Sequence, residues 1–250
     1  MSRAASTGCF PSAVEECRLS LSVLWQMGYV FFMRLHVLFF ALFLSLSTAH
    51  LVALAFVSKR WATATKPLLM PVLAGYLVSA VARGGIPLPW FILAGVGCGF
   101  LGDVFLLGQG RHSSFIAGLT AFLIGHVFYL IALLPAILSR RIEPLLLLVL
   151  IPLGLFGLWY LRFLKEGMAQ LLPAVSAYMA VIIAMTTTAL LRAGALGYGA
   201  WIVFTGAVSF MASDSMLGIA VFRNRSRGLD VAVMASYLLG QFLIVRGMLV

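Results

Sequence analysis

Acidic side chains are scarce in this chain. Of 250 residues only seven are Asp or Glu, and charged residues of every kind make up 10%. A water-soluble globular domain carries about 25% charged residues, so that class is excluded. Cysteine is nearly missing as well: Cys9, Cys17 and Cys98 form no CxxC and no paired spacing. That leaves no disulfide framework and no thiolate metal site, and Cys98, inside an apolar run, reads as a small hydrophobe. What the chain has in abundance is apolar surface. Hydrophobic residues reach 63% and the mean hydropathy is +1.10, far too apolar for a disordered segment. Bases outnumber acids 17 to 7, for a formal charge of +10. They fall between long apolar runs, so their natural counter-charge is anionic lipid headgroups, and no nucleic-acid partner is expected.

Apolar runs of about 17–25 residues mark helices that cross a bilayer core. Eight are expected, at about 35–57, 66–82, 89–107, 115–138, 144–164, 171–191, 200–222 and 229–249. The fold class is therefore all-α, an integral membrane bundle of eight transmembrane helices, with no room between spans for a soluble domain. Basic groups punctuate the gaps: Lys59 and Arg60, Arg83, Arg111, Arg140 and Arg141, Arg162 and Lys165, Arg192, then Arg223, Arg225 and Arg227. The side reached by the odd-numbered loops holds nine bases and the other side seven, which turns the odd-loop side toward the cytoplasm. Residues 1–34 read as an N-terminal extension, interfacial or unstructured, before a membrane domain at 35–250. The apolar stretch 19–33 suits an interfacial helix. Glu15 and Glu16 argue against a signal sequence, and a start of translation at Met33 is an alternative.

The two halves correspond at a fixed offset. Asp103 and Asp214 are 111 residues apart, and so are His126 and Tyr237. Lys66 projects one residue short of Tyr178. Each Asp precedes the next deep polar residue by 23 positions. This pattern points to a parallel four-plus-four repeat about an axis along the membrane normal, with both aspartates at similar depth on helices three and seven.

An ionisable side chain at bilayer depth costs at least about 2.5 kcal/mol. Asp103 and Asp214 are the acids that lie within spans, which makes them the candidate functional pair; the structural alternative is interhelical bonding or pairing with Lys66. His126 and Tyr129 share one face of helix four at i, i+3, and Tyr237 and Gln241 share one of helix eight at i, i+4. Tyr178 lies on helix six. Each alone reads as a packed core residue; together they line one cavity if the repeat holds. A catalytic zinc commonly has three protein ligands and would have to use His126, Asp103 and Asp214. Lys66-Pro67 opens helix two, where Pro is tolerated; Lys66 either snorkels or binds a lipid phosphate. Gly95 and Gly99 form a small-xxx-small step on helix three that admits close packing beside Asp103.

Several stretches resemble the YhhN-like lysoplasmalogenase family. They are Thr65-Lys66-Pro67-Leu68, the Gly102-Asp103 step, the Phe115-x-x-Gly118 turn, His126-x-x-Tyr129, the segment from Gly206 to Ser215 with Ser213-Asp214-Ser215, and Tyr237-x-x-x-Gln241. The resemblance covers about residues 35–249. It implies a multi-span protein that hydrolyses the vinyl-ether bond of lysoplasmalogen, giving a fatty aldehyde and glycerophosphoethanolamine or glycerophosphocholine. The partners are then a lysophospholipid and the bilayer, with no cofactor.

That chemistry suits the residues. Protonating the β-carbon of a vinyl ether gives an oxocarbenium ion, water captures it, and the hemiacetal collapses. One carboxyl must hold a proton and another group must activate water, the logic of paired carboxylates in glycosidases. The expectation assigns Asp103 and Asp214 as acid and base in either order, contributing about 10²–10⁴-fold. His126, Tyr129, Tyr178, Tyr237 and Gln241, with Ser213 and Ser215 beside Asp214, would orient water and the ether oxygen. Lys66 would hold the phosphate. The rival class is a transporter using the Asp pair for proton or cation coupling, and a third reading is a purely structural membrane protein.

Overall fold

The computed structural model describes residues 13–108, 112–138, 144–167 and 171–250, with side chains from residue 28 onward apart from Lys59, His112 and Pro144. Among these residues there are eight α-helices and no strand. They are α1 (Ala13–Val52), α2 (Lys59–Gly84), α3 (Trp90–Leu106), α4 (His112–Leu138), α5 (Leu150–Leu164), α6 (Leu172–Leu196), α7 (Tyr198–Phe222) and α8 (Arg227–Gly247). Seven helical segments are long and apolar enough to cross a membrane. The eighth helix, α3, has 17 residues, about 26 Å at 1.5 Å per residue. The protein is an all-α, multi-pass membrane bundle.

One boundary differs from the sequence reading. The helix set at residue 66 begins at Lys59, because Ser58 adopts an extended conformation and its side chain accepts from Trp61 N at 3.4 Å. Pro67 and Pro71 therefore lie inside α2, where a missing N–H and the ring disturb the regular turn. Lys66 sits at this disturbed stretch, about two turns within the helix. The backbone from Ala13 onward is helical and continuous with the first span. Residues 1–12, with Cys9, and the loop residues Arg111, Arg140, Arg141 and Glu143 lie outside the described residues.

The closest neighbours in the bundle are α3 with α4, α7 with α8 and α1 with α2. Helix α6 packs on both α4 and α7, while α5 lies at the edge against α6 and is the least buried of the seven spans. Leu155, Leu158 and Trp159 on α5 stay exposed, as a lipid-facing surface requires. The tightest seam joins α7 and α8. A Cβ on Gly206 would lie 2.8 Å from the backbone N of Ile244, and one on Gly240 would lie 2.9 Å from that of Phe210. Side chains at these positions would drive the helices apart, so the glycines set the interhelical distance.

Candidate functional site

Asp103 lies near the end of α3, and the glycines before it decide what reaches it. A Cβ at Gly95 would collide with the Tyr129 ring, and one at Gly102 would lie 2.6 Å from the Phe122 ring. At Gly99 it would lie 2.8 Å from the Gln241 amide nitrogen and 2.9 Å from the Tyr237 hydroxyl. The bare face of α3 thus admits polar and aromatic side chains of α4 and α8. Asp103 is 1% exposed. Its Oδ1 is 3.1 Å from Lys66 Nζ, and its Oδ2 accepts from the Tyr237 hydroxyl at 3.0 Å. Both oxygens are occupied. Beside this group the Tyr129 hydroxyl donates to Gln241 Oε1 at 2.5 Å, and both side chains are fully enclosed.

Asp214 on α7 has different company. Its Oδ2 accepts from the Tyr178 hydroxyl at 2.5 Å and lies 3.4 Å from His126 Nε2. No hydrogen bond joins that nitrogen to the carboxyl in this geometry. His126 Nδ1 is 2.7 Å from the Phe122 carbonyl. A carbonyl only accepts, so Nδ1 carries the hydrogen and Nε2 of a neutral ring turns its lone pair toward the carboxyl. Edge-on contacts with Tyr178 and Phe210, at centroid distances of 5.3 and 4.6 Å, fix the imidazole. Asp214 Oδ1 has no partner among the described residues.

Asp214 also lines a cavity of about 520 Å³, its mouth included. Leu106 ends α3, Phe115 and Val175 belong to the first turns of α4 and α6, and Phe222 ends α7. The cavity therefore lies at the end of the bundle that carries the loops after α1, α3, α5 and α7. Its wall is apolar except for Asp214, Tyr160 and Tyr178. The Tyr160 hydroxyl donates to the Ser215 carbonyl at 2.7 Å, tying α5 to α7 across the cavity.

The sequence-predicted residues thus divide. Asp214, Tyr178 and His126 come together, and the first two line the cavity. Asp103, Lys66 and Tyr237 form a second group that does not line it, and Tyr129 and Gln241 bond one another beside that group. Ser213 donates to the Val233 carbonyl of α8, and Ser215 to the Met211 carbonyl of its own helix. Among the described residues no hydrogen bond or ion pair joins the two aspartates. Rings connect their surroundings: Tyr237 packs on Phe210 at 5.4 Å, and Phe210 on His126. No cluster of three His, Cys, Asp or Glu that could hold a metal ion occurs among the described residues. Sequence reasoning missed Tyr160; its signal was a lone hydroxyl in the otherwise apolar fifth span.

A family model described as the YhhN family matches residues 61–248. The lysoplasmalogenase of Mycobacterium bovis is 35% identical over 139 residues, which are 54% of this chain and 51% of that protein. The lysoplasmalogenase of Mycobacterium tuberculosis gives the same figures, 35% over 139 residues. The chain thus spans about half the length of these curated relatives. No solved structure matches.

Proposed function

Since this chain belongs to the YhhN family, we propose that it is a membrane-embedded hydrolase that cleaves the vinyl-ether bond of lysoplasmalogen. The products are a fatty aldehyde and glycerophosphoethanolamine or glycerophosphocholine. The observation that carries this reading is the free Oδ1 of Asp214 on the wall of an apolar cavity, with Oδ2 held by Tyr178 and approached by His126. A pocket of this kind accepts a hydrocarbon chain and presents one acid to it.

The chemistry follows from that arrangement. Asp214, carrying a proton, gives it to the β-carbon of the vinyl ether and becomes a carboxylate. The positive charge that develops on the α-carbon and ether oxygen faces this new anion, as in glycosidases. Water adds to the α-carbon, and Asp214 takes the proton that the water loses. The hemiacetal then splits into aldehyde and alcohol, one water having been consumed. Tyr178 holds the carboxyl in place, and the His126 lone pair offers the proton a second seat during the cycle.

Asp103 fits a different part. Its charge is matched by the Lys66 ammonium at 3.1 Å, so the pair anchors α2 to α3 and positions Tyr237. Lys66 is thereby occupied, and the substrate headgroup falls to the bases at the same end of the bundle: Arg162, Lys165 and Arg223. The equivalent helices that supply partners to each aspartate, α2 and α8 for one and α6 and α4 for the other, support a parallel four-plus-four repeat. In a bacterial host the proposed location of this multi-pass bundle is the cytoplasmic membrane.

The test is purified protein incubated with vinyl-ether, alkyl-ether and ester lysolipids of equal chain length, with products identified by mass. Aldehyde is expected from the vinyl ether alone, and in heavy water it gains one deuterium on the carbon next to the carbonyl. Aldehyde release by Asp214→Asn at the wild-type rate would overturn the assignment. Ligand flux in sealed vesicles with no aldehyde would favour the transporter reading instead.

A further inference from the structure

At the opposite end of the bundle α1, α2 and α8 bring four polar side chains together. His36 of α1 stacks on Tyr76 of α2 with centroids 4.5 Å apart and rings inclined by 28°. Tyr76 is 3% exposed. Arg83 follows it by two turns of the same helix, and Arg246 stands in the last turn of α8. Phe242 of α8 packs on Tyr76 with centroids 5.7 Å apart, and Arg246 follows Phe242 by one turn, so both arginines lie outward of the His36–Tyr76 stack at the same end of the bundle. Both arginines are half-buried, and among the described residues no carboxylate pairs with either. The Nδ1 of His36 is buried without a partner.

Two like charges at one end of the bundle, partly out of water, are unfavourable without a counter-ion. Guanidiniums carry only donors, in a fork that matches an oxyanion. Among the described residues no carboxylate takes that place. We propose that Arg83 and Arg246, above the His36–Tyr76 stack, form a binding site for a phosphate oxyanion, and that its occupant is the headgroup of a membrane phospholipid. Position argues for the lipid. The arginines end their spans, at headgroup depth. Directly inward, Tyr76 packs with Phe40 and Phe242, at 5.9 and 5.7 Å, and Phe40 is 37% exposed, so an acyl chain has an aromatic surface to follow. The site lies at the far end of the bundle from Asp214 and does not depend on the proposed chemistry.

The experiment uses the full chain in uncharged detergent, with thermal melting and native mass spectrometry as readouts. The probes are phosphatidylglycerol, diacylglycerol with the same chains, and inorganic phosphate. Phosphatidylglycerol is expected to raise the melting temperature and remain bound, and diacylglycerol is expected to do neither. Arg83→Gln with Arg246→Gln loses about tenfold or more in apparent affinity for phosphatidylglycerol and keeps its aldehyde release. The double Lys variant, which keeps the charge without the fork, falls in between and serves should the Gln variant fold poorly. Equal binding by wild type and both variants overturns the proposal, as does equal stabilisation by diacylglycerol. Equal loss in a control with Arg60→Gln and Arg225→Gln, at the other end, also overturns it. Saturation by inorganic phosphate with no further effect of lipid keeps the oxyanion site and overturns the lipid as its occupant.

Discussion

Asp103 on α3 and Asp214 on α7 stand 111 residues apart, yet their settings differ in kind. Asp103 is sealed, with both oxygens occupied and a lysine ammonium at 3.1 Å. Asp214 has a tyrosine, an imidazole and one open oxygen on a cavity wall. In the proposed reading the same residue type serves two ends. A carboxylate saturated by a cation holds helices together and has nothing left for a substrate. A carboxyl with neutral partners and an open oxygen can give and take a proton. The neighbouring helices reinforce the contrast: α1 packs closely on α2, whereas α5 rests lightly at the bundle's edge, and the cavity is on the α5 side.

The comparison can be broken most directly at the open acid. Asp214→Asn should lower aldehyde release by about 10²–10⁴-fold while the melting temperature stays close to wild type. Asp103→Asn should instead retain turnover in the folded fraction, and an equal loss in both would restore a joint role for the two acids. The next largest effect is on stability. Lys66→Met leaves Asp103 buried and unpaired, a change that costs about 3–5 kcal/mol, read as a lower melting temperature in detergent. Adding Asp103→Asn should recover most of it; failure to recover would show that the ion pair is not what Lys66 contributes. Smaller again is Val175→Trp, which fills the cavity beside Asp214. It should cut turnover of long-chain substrates by about 10–200-fold relative to short-chain ones, measured as a ratio of kcat/KM values. Smallest is Tyr160→Phe, which removes the hydroxyl bonded to the Ser215 carbonyl. It should cost about 0.5–1.5 kcal/mol of stability with little change in turnover.

Much of the fold could be read from the chain because a bilayer demands long apolar helices, and the spans stand out as such. The start of α2 could not, since a cap by Ser58 outweighs the propensity of Pro67 to begin a helix. The candidate site was legible as a set of residue types: acids, His126 and tyrosines at matching offsets are costly inside a membrane and therefore conspicuous. Their division into two groups was not. Which oxygen stays open depends on how helices far apart in sequence turn toward one another, as when Tyr237 of α8 reaches Asp103 of α3. Periodicity gives a shared face and no partner. Tyr160 escaped for the same reason, because its meaning lies in a carbonyl 55 residues away.

The glycine seam between α7 and α8 has a mechanical consequence. With backbone against backbone at Gly206 and Gly240, these two helices behave as one rigid spar. Asp214 rides on one rail and Tyr237 on the other, so neither can slide along the membrane normal without carrying its companion. Any shift that re-aims the open acid must also tug on the sealed one, and the two ends of the polar machinery keep a common depth.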